Sequence, residues 1–489
     1  MTAYPKTYHF AGLNTPVGIE ASVRNLPVIG EIPKEVEGAF FRAVPDPAHA
    51  PKHEDDNMLS GDGMIARFLI EGGSVDYDIK YVRTARYEAE RKARKALFGR
   101  YRNPFTDDPE VEGVDRTVAN TTPIWHAGRL FMTKEDGRPY EINPHTLETI
   151  GKWDYHGALR SETMTAHARI DPKTGEMFFF GYEAGGLCST DVAYCIADKE
   201  GNLVSEQWFK NPYCSTMHDF AITERHAIFP VFPTTADLDR LKAGGDHWAH
   251  QQDLESWIAI MPRYGKVEEL RWFKGPKGVF AFHILNAFCD GDLVHLDLCL
   301  SDTNPFPFMR EAGGVKWEGQ GPGGGLIRWT FDLSKPGEDF EVRPLGPPGD
   351  MPRVRDADQG RPYRHAWYCS MNPEGGPPLI SGPVGPSFNL LFRIEPGNGR
   401  LDAMPLEPGM DINEPVHVPS SDPDHDGWLL AVVDRQVGEE AYESELWVID
   451  AGEIGKGPVA RVKIPIRLHT QVHGWWVSAA ELARSRVAA

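Results

Sequence analysis

Short apolar segments recur along the whole chain, and each is bounded by residues that favour turns. They are rich in β-branched and aromatic residues, with Asp, Gly or Pro on either side. The 49 Gly and 40 Pro of the 489 residues are spread along the chain, which favours many short strands over a helical bundle. This pattern predicts an all-β fold and suits a β-propeller with divergent blades. Clear examples are residues 130–133, 176–182, 293–298, 325–331 and 428–433.

No interdomain linker is visible in the sequence, so we predict one domain over residues 1–489. Residues 1–35 are polar and proline-punctuated, which predicts an extended N-terminal arm. Residues 478–489 predict a terminal helix followed by a frayed tail. Two surface helices are predicted at residues 85–98 and 236–245.

The overall charge and the apolar runs exclude several classes of protein. A net charge of −20 argues against nucleic-acid binding and against a polybasic membrane anchor. The apolar stretches are much shorter than the ~18 residues that a membrane span needs. Residues 1–12 lack the pattern of a secretory signal, and the six cysteines form no Cys-x-x-Cys pair. We therefore expect a cytoplasmic protein with reduced thiols and no stable membrane anchor.

Residues 215–230 predict two consecutive strands joined at 224–225, and His218 lies at the head of the first. An imidazole that is buried on an apolar strand face must find a polar partner. Similar segments place His167 ahead of 174–182, His283 within 281–288 and His473 within 464–475. The separations of 51, 65 and 190 residues match no local metal-binding motif. Spacing alone therefore does not single out these histidines among the 18 in the chain.

These segments, together with 58–71, resemble the carotenoid cleavage oxygenase family over residues 28–477. The resemblance implies a seven-bladed β-propeller with loops and short helices forming a cap over the active site. It also implies iron, Fe(2+), on the propeller axis. Neutral imidazoles suit a borderline transition metal, but the choice of iron over zinc or copper comes from the resemblance alone. The implied ligands are His167, His218, His283 and His473.

Five other histidines are interpreted as structural, because none falls on a motif position of the family. They are His226, His295, His365, His417 and His469.

The resemblance also implies carboxylates that orient the last three histidines, because metal-bound imidazoles usually donate their second nitrogen to an acceptor. The matching positions are Glu135, Asp350 and Glu414. Asp350 is one methylene shorter than the glutamate of the family, which leaves open whether it contacts His283 directly. Thr121 matches a threonine that crowds one vacant iron position and so leaves a single productive site for dioxygen.

Within the family, the chain is most similar to the lignostilbene dioxygenase branch. Tyr101 and Lys134 match residues that hold the phenol of the substrate there. A lysine beside a phenol stabilises the phenolate. Lys134 and Glu135 are interpreted as consecutive strand residues that face opposite sides.

Three further residues are predicted to line the substrate pocket. Leu59 stands, with Ser60, where many relatives carry an aromatic and an acidic residue. Phe306 and Phe308 are expected either as aromatic walls of the pocket or as core.

The resemblance thus implies an iron dioxygenase that splits the interphenyl C=C bond of a 4-hydroxystilbene with O2 into two aromatic aldehydes. Cleavage of a phenylpropene such as isoeugenol, or of an apocarotenoid, is the alternative within the family. A wholly apolar polyene has no use for Lys134 and Tyr101. A calcium-dependent propeller hydrolase or binding module is the alternative from another class. The expected partners are the small-molecule substrate and O2, with a homodimer as a family-level expectation.

Overall fold

The computed structural model describes residues 3–312 and 324–488, and β-strands dominate them. The α-helices of this part are short: α1 (Ala85–Ala93), α2 (Leu238–Lys242) and α3 (Ala479–Leu482). None of the helices in the described residues is long and apolar enough to span a bilayer. All six cysteines lie in the described part, and all are free thiols.

The strands from the N-terminal third of the chain are β1 (Ala21–Val23), β2 (Val28–Gly30), β3 (Gly38–Pro45), β4 (Gly63–Glu71), β5 (Ser74–Tyr81), β6 (Thr122–His126), β7 (Arg129–Thr133), β8 (Tyr140–Ile142) and β9 (Thr149–Lys152). The next are β10 (Arg169–Ile170), β11 (Met177–Tyr182), β12 (Asp191–Ala197), β13 (Leu203–Lys210), β14 (Ala221–Ile222), β15 (His226–Val231), β16 (Thr234–Thr235), β17 (Ala249–His250), β18 (Glu255–Pro262), β19 (Arg271–Lys277), β20 (Phe280–Asp290), β21 (Leu293–Ser301), β22 (Gly324–Asp332), β23 (Glu341–Gly346) and β24 (Asp350–Arg353). The last are β25 (Ala366–Ser370), β26 (Ile380–Ser381), β27 (Gly385–Pro386), β28 (Leu390–Glu395), β29 (Arg400–Pro405), β30 (Met410–Ile412), β31 (Val416–Val418), β32 (Trp428–Gln436), β33 (Tyr442–Asp450), β34 (Pro458–Ile464) and β35 (Gly474–Ser478).

These strands form seven sheets of four to six strands. In sheet order they are β6-β7-β8-β9, β10-β11-β12-β13, β14-β15-β18-β19, β20-β21-β22-β23, β24-β25-β28-β29, β2-β34-β33-β32-β30 and β1-β5-β4-β3-β35. β31 pairs with β32 beside its sheet, and β16–β17 and β26–β27 are two-stranded ladders. The fold is a seven-bladed β-propeller, so the predicted all-β class is confirmed.

Contacts group the residues into two compact units. The first comprises Met1–Trp153, Trp367–Arg393 and Asp402–Ala489, and the second comprises Asp154–Ala366 and Ile394–Leu401. The prediction of a single domain over 1–489, with an arm and a tail, stays a prediction.

Within the first unit, strands near one end of the chain pair with strands near the other end. β35 pairs with β3, where Val477 lies opposite Ala39. β2, from the predicted N-terminal arm, pairs with β34, where Arg461 lies opposite Ile29. Both pairings are antiparallel ladders between residues more than 400 positions apart, so they tie the terminal segments into complete sheets.

Buried aromatic and aliphatic side chains form the cores of both units. In the first, Phe68 packs between Phe40 and Tyr77, with ring centroids 5.9 and 4.8 Å apart. In the second, Phe220 lies 5.0 Å from Phe180 of β11 and 5.8 Å from Phe229 of β15, measured between ring centroids. Phe220 directly precedes β14, so this packing fixes the edge strand of its sheet against two others.

The predicted strands at 130–133, 176–182, 293–298, 325–331 and 428–433 are confirmed as β7, β11, β21, β22 and β32. The predicted helix at 85–98 ends earlier, at Ala93, because Arg94 adopts a left-handed conformation with φ of 57°. The predicted helix at 236–245 is shorter, and the side chain of Asp237 caps the start of α2.

Candidate metal and substrate site

The four histidines singled out by the sequence occupy similar places in four sheets. His167 lies two residues before β10, His218 three residues before β14, and His473 immediately before β35. His283 lies near the start of β20, within the first of two register shifts in the pairing of β20 with β21. Each of these strands is the edge strand of its sheet. The first strand predicted within 215–230 therefore begins later than expected, at Ala221, and His218 precedes it.

The four imidazoles converge. One potential ligand atom from each of His167, His218, His283 and His473 lies within 4.8 Å of the others. Nε2 of His167 is 2.8 Å from Nε2 of His218. Among the described residues, this is the group of His, Cys, Asp and Glu side chains that could hold a metal ion. The expectation that the four histidines come together is therefore met by the geometry.

Two of the predicted carboxylates hydrogen-bond directly to these imidazoles. Nδ1 of His283 is 2.7 Å from Oδ1 of Asp350, and Nδ1 of His473 is 3.0 Å from Oε1 of Glu414. The second oxygen of Glu414 accepts the backbone N–H of Gly474 at 2.8 Å. A carboxylate on Nδ1 fixes the neutral tautomer whose Nε2 is free to bind a metal.

The shorter side chain of Asp350 thus reaches His283 without an intermediary. Its Oδ1 also accepts the backbone N–H of Met351 at 2.8 Å. Met351 adopts a positive φ of 55°, and this left-handed turn follows the carboxylate directly. The sequence left open whether Asp350 contacts His283 directly, and in the structure it does.

Glu135 is buried, and so is Lys134. Both residues follow β7, which ends at Thr133, and the backbone N–H of Gly137 closes a turn onto the carbonyl of Lys134 at 3.2 Å. The prediction that they are strand residues is wrong, because β7 ends at Thr133 and a turn through Asp136 and Gly137 follows. That the two side chains face opposite sides stays a prediction. An orienting contact from Glu135 to a histidine stays a prediction.

An aromatic side chain that the sequence did not single out supports the metal ligands. The ring of Phe282 stacks on the imidazole of His218, with centroids 3.6 Å apart and planes 5° from parallel. Phe306 packs edge-on against Phe282 at 4.7 Å, and Phe308 lies 5.5 Å from Phe306, again between centroids. Phe306 is therefore part of an aromatic row that ends on a metal ligand. The Ala-Phe-His order of residues 281–283 was the available signal for Phe282.

On the candidate substrate side, the ammonium nitrogen of Lys134 lies 5.4 Å from the centre of the Tyr101 ring. This is cation–π range. Burial raises the pKa of the Tyr101 hydroxyl, against the lowering effect of Lys134. The pKa of Lys134 is raised as well: burial alone would lower it, but the nearby Tyr101, Glu135 and Asp136 outweigh that effect. Burial favours the neutral form of the Tyr101 phenol, and the carboxylates of Glu135 and Asp136 favour the charged form of Lys134.

Side chains hold the irregular segment that carries Tyr101. Five consecutive backbone N–H groups, from residues 97 to 101, each donate to a side-chain oxygen at 2.7–3.2 Å. The acceptor for Tyr101 is Oδ1 of Asp56, which also accepts the hydroxyl of Ser60 at 2.9 Å. The other acceptors are Glu90, Asp107 and Thr106. Sequence reasoning missed these residues because their role depends on contacts between separate segments.

Thr121 and Leu59 lie together in the first unit. The amide of Asn120 donates to the carbonyls of Leu59 and Gly61 at 3.1 and 2.8 Å. The hydroxyl of Thr121 donates to the amide oxygen of Asn120, and its backbone N–H donates to the carbonyl of Thr133. A Cβ on Gly63 would lie 2.1 Å from the carbonyl oxygen of Ala119, so glycine is required for this close approach.

The five histidines interpreted as structural contact other protein groups. His469 is buried, with its two ring nitrogens 3.1 Å from the carbonyl oxygens of Thr470 and Asn14. The ring nitrogens of the others lie within 3.3 Å of the following atoms: Cys289 Sγ for His226, Thr330 Oγ1 for His295, Glu395 Oε1 for His365 and Asp426 O for His417.

The donor set fits a borderline transition metal. Two nitrogens at right angles on one ion, each bonded at about 2.0–2.1 Å, are about 2.9 Å apart. The 2.8 Å between His167 and His218 agrees with adjacent positions on one ion. Calcium instead prefers six to eight oxygen ligands, and the group contains only imidazoles. The chemistry of the site therefore disfavours the calcium-dependent alternative.

The β-propeller and its group of four imidazoles that could hold a metal ion place this protein in the class of non-haem metalloenzymes. A family model described as "Retinal pigment epithelial membrane protein" matches residues 14–478. The chain belongs to this family, that of the carotenoid cleavage oxygenases, which use iron, and its relatives are named dioxygenases, monooxygenases and cleavage oxygenases.

Individual relatives match the chain over its whole length. It is 40% identical to lignostilbene-α,β-dioxygenase isozyme III of Sphingomonas paucimobilis, over 99% of both chains. It is also 40% identical to an isoeugenol monooxygenase of Pseudomonas putida, over 96% of this chain and 97% of the relative. The solved structure of Pseudomonas brassicacearum lignostilbene dioxygenase superposes with a TM-score of 0.93, at 37% identity, over 98% of this chain and all of the other.

Proposed function

We propose that the protein is an Fe(2+)-dependent dioxygenase that cleaves the interphenyl double bond of a 4-hydroxystilbene. The observation that carries this proposal is the buried ammonium of Lys134 over the ring of Tyr101. A buried charge is retained only where it has a partner or a task. A phenolic substrate would add a charged or hydrogen-bonding partner to the Tyr101 ring, Glu135 and Asp136, whereas a hydrocarbon polyene would not.

His167, His218, His283 and His473 would hold the ferrous ion, with Asp350 and Glu414 keeping two of the imidazoles in the neutral, metal-binding tautomer. When bound, this ion supplies the activation of dioxygen that an alkene needs in order to react. Thr121 would restrict one coordination position, and Glu135 would orient a further imidazole.

Lys134 and Tyr101 would act on the far end of the substrate. The hydroxyl of Tyr101 stays protonated at neutral pH, because its pKa is raised by burial, and can donate a hydrogen bond to the substrate oxygen. The charged Lys134 favours the ionised form of the same oxygen. A phenolate donates electron density through the ring into the conjugated double bond. This bond then reacts with dioxygen more readily than it does in the neutral phenol. The reaction is balanced, because one stilbene and one O2 give two aldehydes.

An isoeugenol-type phenylpropene is the second candidate substrate, because the chain is as similar to an isoeugenol monooxygenase as to a lignostilbene dioxygenase. Isoeugenol also carries a phenol para to its double bond, so Lys134 and Tyr101 would serve it equally. Room for a second aryl ring in the pocket would favour the stilbene. Phe306 and Phe308 would be walls of this pocket, and Leu59 would widen it relative to an aromatic residue.

The test is oxygen uptake and product analysis with the iron-loaded protein on a 4-hydroxystilbene, isoeugenol and an apocarotenal. We expect the highest kcat/KM on the stilbene, with two aldehydes formed per O2. If isoeugenol were preferred, the mechanism would stand and the assigned substrate would change to a phenylpropene. If the apocarotenal were preferred, the phenol-binding role of Lys134 and Tyr101 would be overturned. A homodimeric state and a cytoplasmic location stay predictions.

A further inference from the structure

We propose that the buried ion pair Arg169–Asp219 is a positioning device that sets the relative places of three metal ligands, His167, His218 and His283. The proposal rests on the metal-binding function proposed above. It concerns residues beyond the ligands and their carboxylate partners.

The two members of the ion pair lie next to two of the ligands in the sequence. Arg169 is two residues after His167, and Asp219 directly follows His218. The Nη2 atom of Arg169 lies 2.6 and 2.7 Å from the two carboxylate oxygens of Asp219. Both side chains are largely buried, at 13% and 3% exposure.

The third ligand is tied to the same pair through Ile284, which directly follows His283. The backbone N–H of Ile284 donates to Oδ2 of Asp219 at 2.8 Å. The carbonyl oxygen of Ile284 accepts from Nη2 of Arg169 at 3.3 Å. Both backbone groups of one residue are thus bound by the two members of the ion pair.

These bonds explain the irregular backbone at His283. The pairing of β20 with β21 shifts register between Ala281 and Ile284, and again between Ile284 and Asn286. Ile284 itself stays opposite Leu298 in this edge strand, and the ion pair supplies partners to both of its backbone groups between the two shifts. Such irregularities re-aim side chains near active sites. The ion pair therefore holds the backbone distortion next to the side chain of His283.

The same guanidinium also fixes the segment after His218. Nε of Arg169 donates to the carbonyl oxygen of Phe220 at 2.9 Å, and the N–H of Phe220 donates to Oδ1 of Asp219 at 2.7 Å. The planar fork of arginine can make these contacts together, and a lysine ammonium lacks that geometry. A shift of the pair would therefore move three ligand-bearing segments at once.

A second ion pair of the same unit is a matched control. Arg328 and Asp297 form two hydrogen bonds of 2.7 Å and have exposures of 14% and 0%. They join β22 to β21 and lie opposite each other in the ladder. Within residues 3–312 and 324–488, the hydrogen bonds of these two side chains join them to each other and to Tyr363, which is not adjacent to a metal ligand, so a purely structural role is expected for them.

The experiment compares Asp219→Asn and Arg169→Lys with Asp297→Asn and Arg328→Lys in the full chain. Each protein is loaded with Co(II), and we measure the absorption spectrum, the rate of metal release to a chelator and the Tm of the metal-free form. We expect the Arg169 and Asp219 variants to release cobalt about 10–100-fold faster, with altered ligand-field bands. The control variants should keep the wild-type spectrum and release rate at a comparable loss of Tm.

Equal release rates and spectra in the two sets, with wild-type protein that binds cobalt, would overturn the positioning role and leave the proposed function intact. Wild-type protein that binds no cobalt or iron would overturn the proposed function, and this inference with it. Arg169→Lys is the milder change, so it keeps the comparison available if Asp219→Asn does not fold.

Discussion

Replacing Lys134 with methionine removes the charge that we assign to the substrate phenolate and keeps much of the side-chain volume. The ammonium lies 5.4 Å from the centre of the Tyr101 ring, and we take the substrate oxygen that contacts the Tyr101 hydroxyl to bind roughly 4–5 Å from this ammonium. Two unit charges at these separations interact by about 3–4 kcal/mol at an effective dielectric of about 20. If this interaction is made mainly in the transition state, its loss lowers kcat by about 10²–10³-fold.

The assay is steady-state cleavage of a 4-hydroxystilbene and of its 4-methoxy analogue by iron-loaded wild type and Lys134→Met. We expect the wild type to prefer the hydroxy compound strongly, because the methoxy compound cannot ionise. The variant should lose this preference while retaining iron.

Lys152→Met is the control, because Lys152 lies in β9, in the sheet whose strand β7 directly precedes Lys134, and pairs with Asp115 at 2.8 Å. It should leave turnover unchanged. Comparable turnover of the two stilbenes by the wild type would refute the phenolate argument, whatever the variants do.

Four further outcomes follow from the structure. Tyr101→Phe removes a neutral donor and should lower kcat by about ten- to a hundredfold, measured on the same stilbene. Glu414→Gln should weaken metal affinity by about 10–100-fold in a chelator competition. Asp350→Asn should match it, because both carboxylates contact their imidazoles directly, and wild-type affinity in both variants would remove the orienting role. Burial and the neighbouring Asp434 raise the pKa of Asp411 to about 8, against about 3.9 in an unfolded chain. The folded state thus holds a proton that the unfolded state has released, so stability should fall as pH rises from about 4 to about 8, and beyond that range the trend should level off. Asp411→Asn should flatten this decline in Tm, and an equally steep decline in the variant would contradict the argument.

Strand existence was predictable because β-branched and aromatic runs between turn residues are local signals, as 176–182 and 428–433 show. The ends of elements were less predictable. His218 was placed on a strand that begins three residues later, and Lys134 on one that ends a residue before it. In both cases the boundary depends on turn and cross-strand contacts that the local pattern does not contain.

The metal ligands were predicted through family motifs, since their separations in the chain carry no metal signature. The direct contact of Asp350 was not predictable, because it depends on the left-handed backbone at Met351. Phe282, Asp56 and the Arg169–Asp219 pair were also missed. Each acts on a residue distant in the sequence or in a separate segment, so only the folded backbone brings the partners together.

The central claim is that these four histidines hold one iron, and the C-terminal segment tests it most directly. His473 belongs to the converging group, whereas both ring nitrogens of nearby His469 lie against backbone carbonyls. The measurement is iron content per chain, by elemental analysis after anaerobic loading, for wild type, His473→Ala and His469→Ala. We expect about one iron in the wild type and in folded His469→Ala, with most of the metal lost from His473→Ala. Iron retained by His473→Ala and lost from His469→Ala would contradict the assignment.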